Sequence, residues 1–305
     1  MGDAELERFK TGVNLSEFAA ARGYALDRRE SSRNSAVMRH PDGDKIVIAR
    51  HEGGAWVYFS VRDGRDNGTV IDFLQHREGG SLGEVRKTLR AWFGSARPAV
   101  PEVAFVRDLF PVSRDRAAVM GAWERARATL VLPYLTGRGL GPEVLSLPIF
   151  AGCLRVDERG NALFPHYDRE GLCGFEIKNR DFTGFAAGGV KGLWYSKARP
   201  MDNRLVLTES AIDAMSFHVL QGDDRTRYMS TGGSLNPQQP ALLRGAMEKL
   251  RPGGLVLLAF DADEGGEKLT EEVRAFAPSG REVRRVVPEG GKDWNQVLKN
   301  QLGLA

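Results

Sequence analysis

The chain has 305 residues, with 43 Lys and Arg against 40 Asp and Glu, a net charge of +3 and a pI near 8.9. That length gives room for about two domains, each able to bury its own core. Two cysteines cannot build a disulfide scaffold, no apolar run approaches the roughly twenty residues that span a bilayer, and Met1-Gly-Asp-Ala-Glu-Leu lacks the order of a signal peptide.

These features predict a reducing, cytoplasmic setting without membrane contact. From the N-terminus, Leu6 to Arg22 contains Val13-Asn14-Leu15-Ser16-Glu17-Phe18-Ala19, with Asn14 placed to cap a short helix. Lys45-Ile-Val-Ile-Ala and Ala55-Trp-Val-Tyr-Phe-Ser read as a β pair around the turn His51-Glu-Gly-Gly. Gly68-Thr-Val-Ile-Asp72-Phe73-Leu74 leads into a helix that reaches Trp92-Phe93, and Gly94-Ser-Ala-Arg-Pro98-Ala-Val-Pro101 reads as a linker. Trp56, Tyr58 and Phe59 offer faces on which bases stack, although alternation along the strand puts at least one of them in the core. This module holds His40, His51 and His76 and no cysteine.

The next segment carries Tyr134-Leu-Thr-Gly-Arg138-Gly139-Leu140 and Phe164-Pro165-His-Tyr-Asp168-Arg-Glu-Gly171. Asp168-Arg-Glu-Gly171 reads as the turn of a β-hairpin whose second strand, Leu172 to Ile177, delivers Lys178 and Arg180 to one face. Lys191, Lys197 and Arg199 follow. Such bases commonly form a solvated mixed-charge surface; beside a metal site they also suit phosphate. Cys153 and Cys173 read as ordinary core residues.

The remaining chain alternates strand and helix, as a small parallel α/β sheet does. Arg204-Leu-Val-Leu-Thr208 reads as a strand ending in Glu209, and the following helical pattern puts Asp213 one turn on. Acids near a helix start are also favoured by the macrodipole, so capping is as good a reading for Asp213. Tyr228 to Ser234 reads as a strand and glycine turn, and Gln238 to Leu250 as a helix. The apolar run Leu255 to Phe260 reads as a buried strand that ends in Asp261-Ala-Asp263, followed by a helix from about Glu267 to Phe276 and a strand from Glu282 to Val287. Alternation along the strand predicts both carboxylates on one side, at the carboxyl edge where open α/β sheets bind ligands. Like charges held that close call for a cation, and an oxygen-only set suits Mg²⁺. The last motif is Gly290-Gly-Lys292-Asp293-Trp294-Asn295.

Glu209 with Asp213, then Asp261 and Asp263, then Lys292 to Asn295, resembles a Toprim domain, the fold shared by DnaG-type primases, topoisomerases and some nucleases. The resemblance implies that Glu209, Asp261 and Asp263 are catalytic residues and, with Asp293, hold Mg²⁺ or Mn²⁺, with Asp213 supporting them. The segment before it is similar to the basic subdomain that precedes Toprim in DnaG-type primases. That implies nucleic-acid or nucleotide contacts for Arg138, Lys178, Arg180, Lys191 and Lys292. Residues 1–97 resemble the zinc-binding module of those primases without its cysteine ligands, so no zinc is expected.

The fold class expected is α/β, with α+β N-terminal parts. A zinc-ribbon-like β module (1–97), a linker (98–112), a mixed basic subdomain (113–200) and a parallel-sheet Toprim domain (201–305) make up the chain. The resemblance implies a primase-like nucleotidyltransferase acting on single-stranded DNA with nucleoside triphosphates, and a replicative helicase or relaxase as a further partner. With so little sequence after the last motif, a plasmid, phage or mobile-element setting is expected. A Toprim nuclease and a non-catalytic nucleic-acid-binding accessory protein are the alternatives. No GxxxxGK[ST] loop is present for ATP-driven unwinding, and no further domain offers a topoisomerase tyrosine.

Overall fold

The computed structural model describes residues 4–51, 53–61, 66–94, 100–111 and 113–304, in two compact units, Met1–Ser113 and Arg114–Ala305. In the first unit, α1 (Ala4–Gly12) and α2 (Leu15–Ala20) precede β1 (Ala25–Asp27), β2 (Ser35–Arg39), β3 (Lys45–Arg50), β4 (Trp56–Ser60) and β5 (Asn67–Gly68). Helices α3 (Val70–Glu78) and α4 (Leu82–Gly94) follow. The strands make one antiparallel sheet in sequence order. Asn14 caps α2 by accepting from the backbone N–H groups of Ser16 and Glu17. Phe18, Phe73, Leu89 and Trp92 pack on Ile46, Ile48 and Tyr58 to make the core.

Alternation along β4 divides the three aromatics. Trp56 is 4% exposed and Tyr58 2%, both inside, whereas Phe59 is 48% exposed. Two of the three expected stacking faces are therefore core. Tyr58 also joins a polar cluster in which Arg77 bridges Asp44 (2.8 Å) and Asp66 (2.7 Å), and His76 Nδ1 lies 2.9 Å from Asp66. The other histidines lie elsewhere: His40 stands beside Asp42 at 2.9 Å, and His51 is exposed in its turn. Glu52 of that turn, residues 95–99 of the expected linker and Val112 lie outside the described residues.

The second unit begins with α5 (Arg116–Arg125), α6 (Pro133–Thr136) and α7 (Pro142–Leu145). Strands β6 (Arg155–Val156), β7 (Ala162–Asp168), β8 (Gly171–Lys178) and β9 (Thr183–Phe185) form an antiparallel sheet. β7 and β8 are the hairpin encoded by Asp168-Arg-Glu-Gly171, with Asp168 opposite Gly171. The chain continues through β10 (Trp194–Tyr195), β11 (Arg204–Thr208), α8 (Ala211–Gln221), β12 (Thr226–Ser230) and α9 (Gln239–Glu248). It finishes with β13 (Leu255–Leu258), α10 (Glu264–Phe276), β14 (Glu282–Arg285) and α11 (Trp294–Leu302).

The second sheet runs β10-β12-β11-β13-β14. Four of its strands are parallel, and β10 adds an antiparallel edge, so the sheet is mixed rather than wholly parallel. Apolar residues alternate between its two faces. Val206, Tyr228 and Leu257 pack under α8 and α11, while Leu205, Leu207, Met229, Val256 and Leu258 pack under α9 and α10. The α8–α11 core also takes in Leu135, Leu140, Phe150 and Phe164, so the segment before the sheet shares a core with it. Cys153 and Cys173 are buried free thiols.

Candidate metal centre

Three loops converge beyond the carboxyl ends of β11 and β13. After β11, Glu209 leads to Ser210, which caps α8 and so fixes Asp213 in the helix's first turn. After β13 comes Asp261, then Asp263, whose side chain caps α10 by accepting from Gly266 N–H at 3.0 Å. Before α11, Asp293 caps that helix by accepting from Gln296 N–H at 2.7 Å. Each helix N-terminus favours the nearby negative charge, which is why a fold can hold five acids here. Strand pleat is not what aims the pair, because β13 ends at Leu258, three residues before Asp261. Asp261 and Asp263 lie in the turn between strand and helix.

Hydrogen bonds tie the loops together. Asp261 N–H donates to Glu209 Oε1 at 3.3 Å. Ala262 N–H donates to the Lys292 carbonyl at 2.8 Å, and Lys292 Nζ lies 3.2 Å from Asp263. Trp294, buried against Phe217, donates from Nε1 to the Ala259 carbonyl at 2.9 Å. Asn295 N–H donates to Asp213 Oδ1 at 3.1 Å, while its side chain donates to the Arg138 carbonyl (2.8 Å) and to Ser216 (3.0 Å). Asn295 Oδ1 in turn accepts from Arg138 Nη1 at 2.9 Å. Arg285 on β14 donates to the carbonyls of Phe260 (2.5 Å) and Asp261 (2.6 Å), fixing the acid loop from behind. Gly266 permits the close approach of α10, since a Cβ there would fall 2.0 Å from the Asp261 carbonyl oxygen.

The electrostatics single out Asp261. Burial, followed by the charges of Asp213, Glu209, Asp293 and Asp263, pushes its carboxyl up to about 8. Its Oδ1 is buried without a hydrogen-bond partner. Burial also raises Glu209, opposed by the Asp261 N–H and reinforced by Asp263 and Asp213. Asp213 is raised by burial as well, with Ser210 opposing. Asp263 is held down by the Gly266 N–H and by Lys292. Among the described residues, no three His, Cys, Asp or Glu side chains already stand in a metal-binding group. The donor chemistry nevertheless fits a hard divalent cation: oxygen ligands only, one of them orphaned, with excess negative charge around it. Glu209, Asp261 and Asp263 would hold such an ion, with Asp293 beside them.

The expected basic residues divide. Arg138 reaches the centre through Asn295, its guanidinium 4.9 Å from the Tyr134 ring centroid. Lys178 pairs with Glu176 at 2.8 Å, and its charge stabilises ionised Asp213. Glu176 also contacts buried His166 at 3.1 Å, and the Lys178 charge together with the His166 hydrogen bond holds its carboxyl down at about 2 despite burial. Lys191 is already engaged: its ammonium donates to the carbonyls of Gly232 (3.3 Å) and Ser234, bracing the glycine turn whose Gly233 N–H meets the Glu209 carbonyl at 3.0 Å. Arg180 departs from the expectation. β8 ends at Lys178, so Arg180 does not share its strand face and stands exposed in the following bend. Lys292 is exposed and paired with Asp263.

Arg285 and Gly266 carried no sequence signal as site residues; Trp294 and Asn295 stood inside the last motif without an assigned role. These are the residues that position the acids.

This centre and its sheet define a Toprim-like domain, and residues 206–298 match the Toprim-like family model. Residues 133–203 match a second model, described as a protein of unknown function (DUF3991). No curated protein matches the chain. Among solved structures, the primase fragment of the bacteriophage T7 primase-helicase is 22% identical with a TM-score of 0.43, over 57% of this chain and 70% of that one. A chain from an assembly of bacteriophage T7 lagging-strand DNA polymerase with primase domains is 21% identical with a TM-score of 0.40, over 59% and 86%. The RNA polymerase domain of Mycobacterium tuberculosis primase DnaG is 15% identical with a TM-score of 0.35, over 63% and 82%.

Proposed function

We propose that the chain is a primase-like nucleotidyltransferase that uses Mg²⁺ or Mn²⁺ to join nucleotides on single-stranded DNA. The observation that carries this reading is the orphaned, charge-crowded Asp261 carboxyl, set among Glu209, Asp263, Asp213 and Asp293. A bound divalent cation would supply charge neutralisation for a triphosphate and acidify an attacking hydroxyl. Asp263 and Asp293, fixed by their helix starts, would keep the ligand side of the centre rigid. Lys178 and Arg138, both linked to the Asp213–Asn295 corner, would face the phosphates of the incoming nucleotide or the template. Lys292 would exchange its contact with Asp263 for a phosphate oxygen. Lys191 would act by holding the glycine turn beside Glu209, and Arg180 would touch only the template's outer backbone.

The test is incubation with single-stranded DNA, NTPs, dNTPs and Mg²⁺ or Mn²⁺, with products resolved beside an Asp261→Asn/Asp263→Asn variant. New short oligomers from the wild type alone support the proposal. Cleaved template without new oligomers would replace it with a nuclease that uses the same acids. Bound but unaltered DNA would replace it with an accessory binding protein.

A further inference from the structure

On the opposite side of the second sheet, a groove of about 560 Å³ opens between the β7–β8 turn, β10, β12 and α9. Its floor belongs to the α9–α10 face: Leu193 and Met229 line it and pack into that core, not into the core under α8 and α11. It is therefore separate from the acid centre.

Three observations give the groove chemical character. Tyr167 and Tyr195 line it with ring centroids 4.7 Å apart and planes tilted by 32°, a ready aromatic platform. The Arg227 guanidinium sits 5.3 Å from the Tyr195 centroid, yet its Nε is buried with no hydrogen-bond partner. An unsatisfied buried guanidinium nitrogen is costly, and it leaves the charge of this cation unquenched beside the groove. Finally, Arg169 and Lys249 add exposed cations at the rim, while the groove's one acid, Asp168, is already engaged by Arg116. From α9 the groove is lined by Ala241, Leu242, Gly245 and Ala246, and a Cβ on Gly245 would meet nothing within 4 Å. Gly245 leaves open space that a larger side chain would fill.

We propose that this groove binds one nucleotide unit, its base on the Tyr167–Tyr195 platform and its phosphate at Arg227 and Lys249. An aromatic face with adjacent cations recognises a base and its phosphate together, and the volume lies within the range of small-molecule sites. The unit comes either from a free nucleotide or from a residue of a single strand, and the two probes below separate these sources.

The experiment is fluorescence titration of the full chain with 1,N⁶-etheno-AMP and, separately, with a fluorescein-labelled oligo(dA), both in EDTA so that no cation occupies the acid centre. Two variants address the groove independently: Arg227→Met removes the cation but keeps its stem, and Gly245→Met fills the slot while improving helix propensity. Loss of one stacked base corresponds to roughly a 5- to 150-fold weaker Kd. Weakening of that size in either variant with an unchanged melting temperature supports the proposal. If etheno-AMP is affected, the site takes free nucleotides; if only the oligonucleotide is affected, it takes a strand. No binding of either probe by the wild type, or equal binding by wild type and both folded variants, overturns it.

Discussion

Replacing Asp261 by Asn should make the metal-free protein more stable while destroying its use for a cation. The Asp261 carboxyl is raised from 3.8 to about 8, first by burial and then by Asp213, Glu209, Asp293 and Asp263. A raised acid is an electrostatic burden: the unfolded chain releases this proton near 3.8, the folded chain only near 8, so native stability falls across that window and stays low above it. Full conversion at about 1.4 kcal/mol per pKa unit would give about 6 kcal/mol above pH 8. Asp261 as a whole is only half-buried, and screening through its exposed side reduces this to about 1–2 kcal/mol. Asn is nearly isosteric and cannot ionise, so Asp261→Asn should remove the burden. For a unit of this size that is a rise of roughly 2–8 °C in melting temperature at pH 8, shrinking toward zero near pH 4. Calorimetric melting of both proteins in EDTA from pH 4 to 9 measures it. A variant that is less stable than wild type at pH 8, or a difference that ignores pH, would refute the argument that like charge crowds this carboxyl.

Two further substitutions probe the positioning residues. Gly266→Ala puts a methyl 2.0 Å from the Asp261 carbonyl oxygen, so α10 must retreat; overpacking of about 1–3 kcal/mol offsets the helix-propensity gain, and divalent-cation affinity should fall, as isothermal titration would report. Asn295→Ala leaves the Arg138 carbonyl, Ser216 and the Arg138 guanidinium without their shared partner and should lower stability by about 2–4 kcal/mol in a urea melt, whereas Asn295→Asp should recover part of the Arg138 contact.

Glu209 and the Asp261–Asp263 pair were legible as candidates because they sit where a hydrophobic period stops. Glu209 directly follows β11, and Asp261-Ala-Asp263 follows an apolar run too regular to be a loop. Their support was not legible. Arg285 looks like any residue of a short polar strand, and only the neighbouring position of β13 reveals that it holds the Phe260 and Asp261 carbonyls. Trp194-Tyr195 is too short a strand for periodicity to register, so the antiparallel edge of the second sheet came only with the pairing to β12. Spacing also misled where an element ended early: Arg180 reads as a strand neighbour of Lys178, but β8 stops between them. In the first unit, alternation correctly divided Trp56, Tyr58 and Phe59 between core and surface only once the register of β4 was known.

The most direct test of the account is Mn²⁺ binding followed by electron paramagnetic resonance at pH 6.5 and pH 8. Asp261 must lose its proton to ligate, so affinity should rise with pH by up to about tenfold per unit below pH 8, and Asp261→Asn should abolish both the binding and its pH dependence. Equal Mn²⁺ binding by wild type and Asp261→Asn, or none by the wild type at pH 8, would contradict the assignment of these acids as a cation centre.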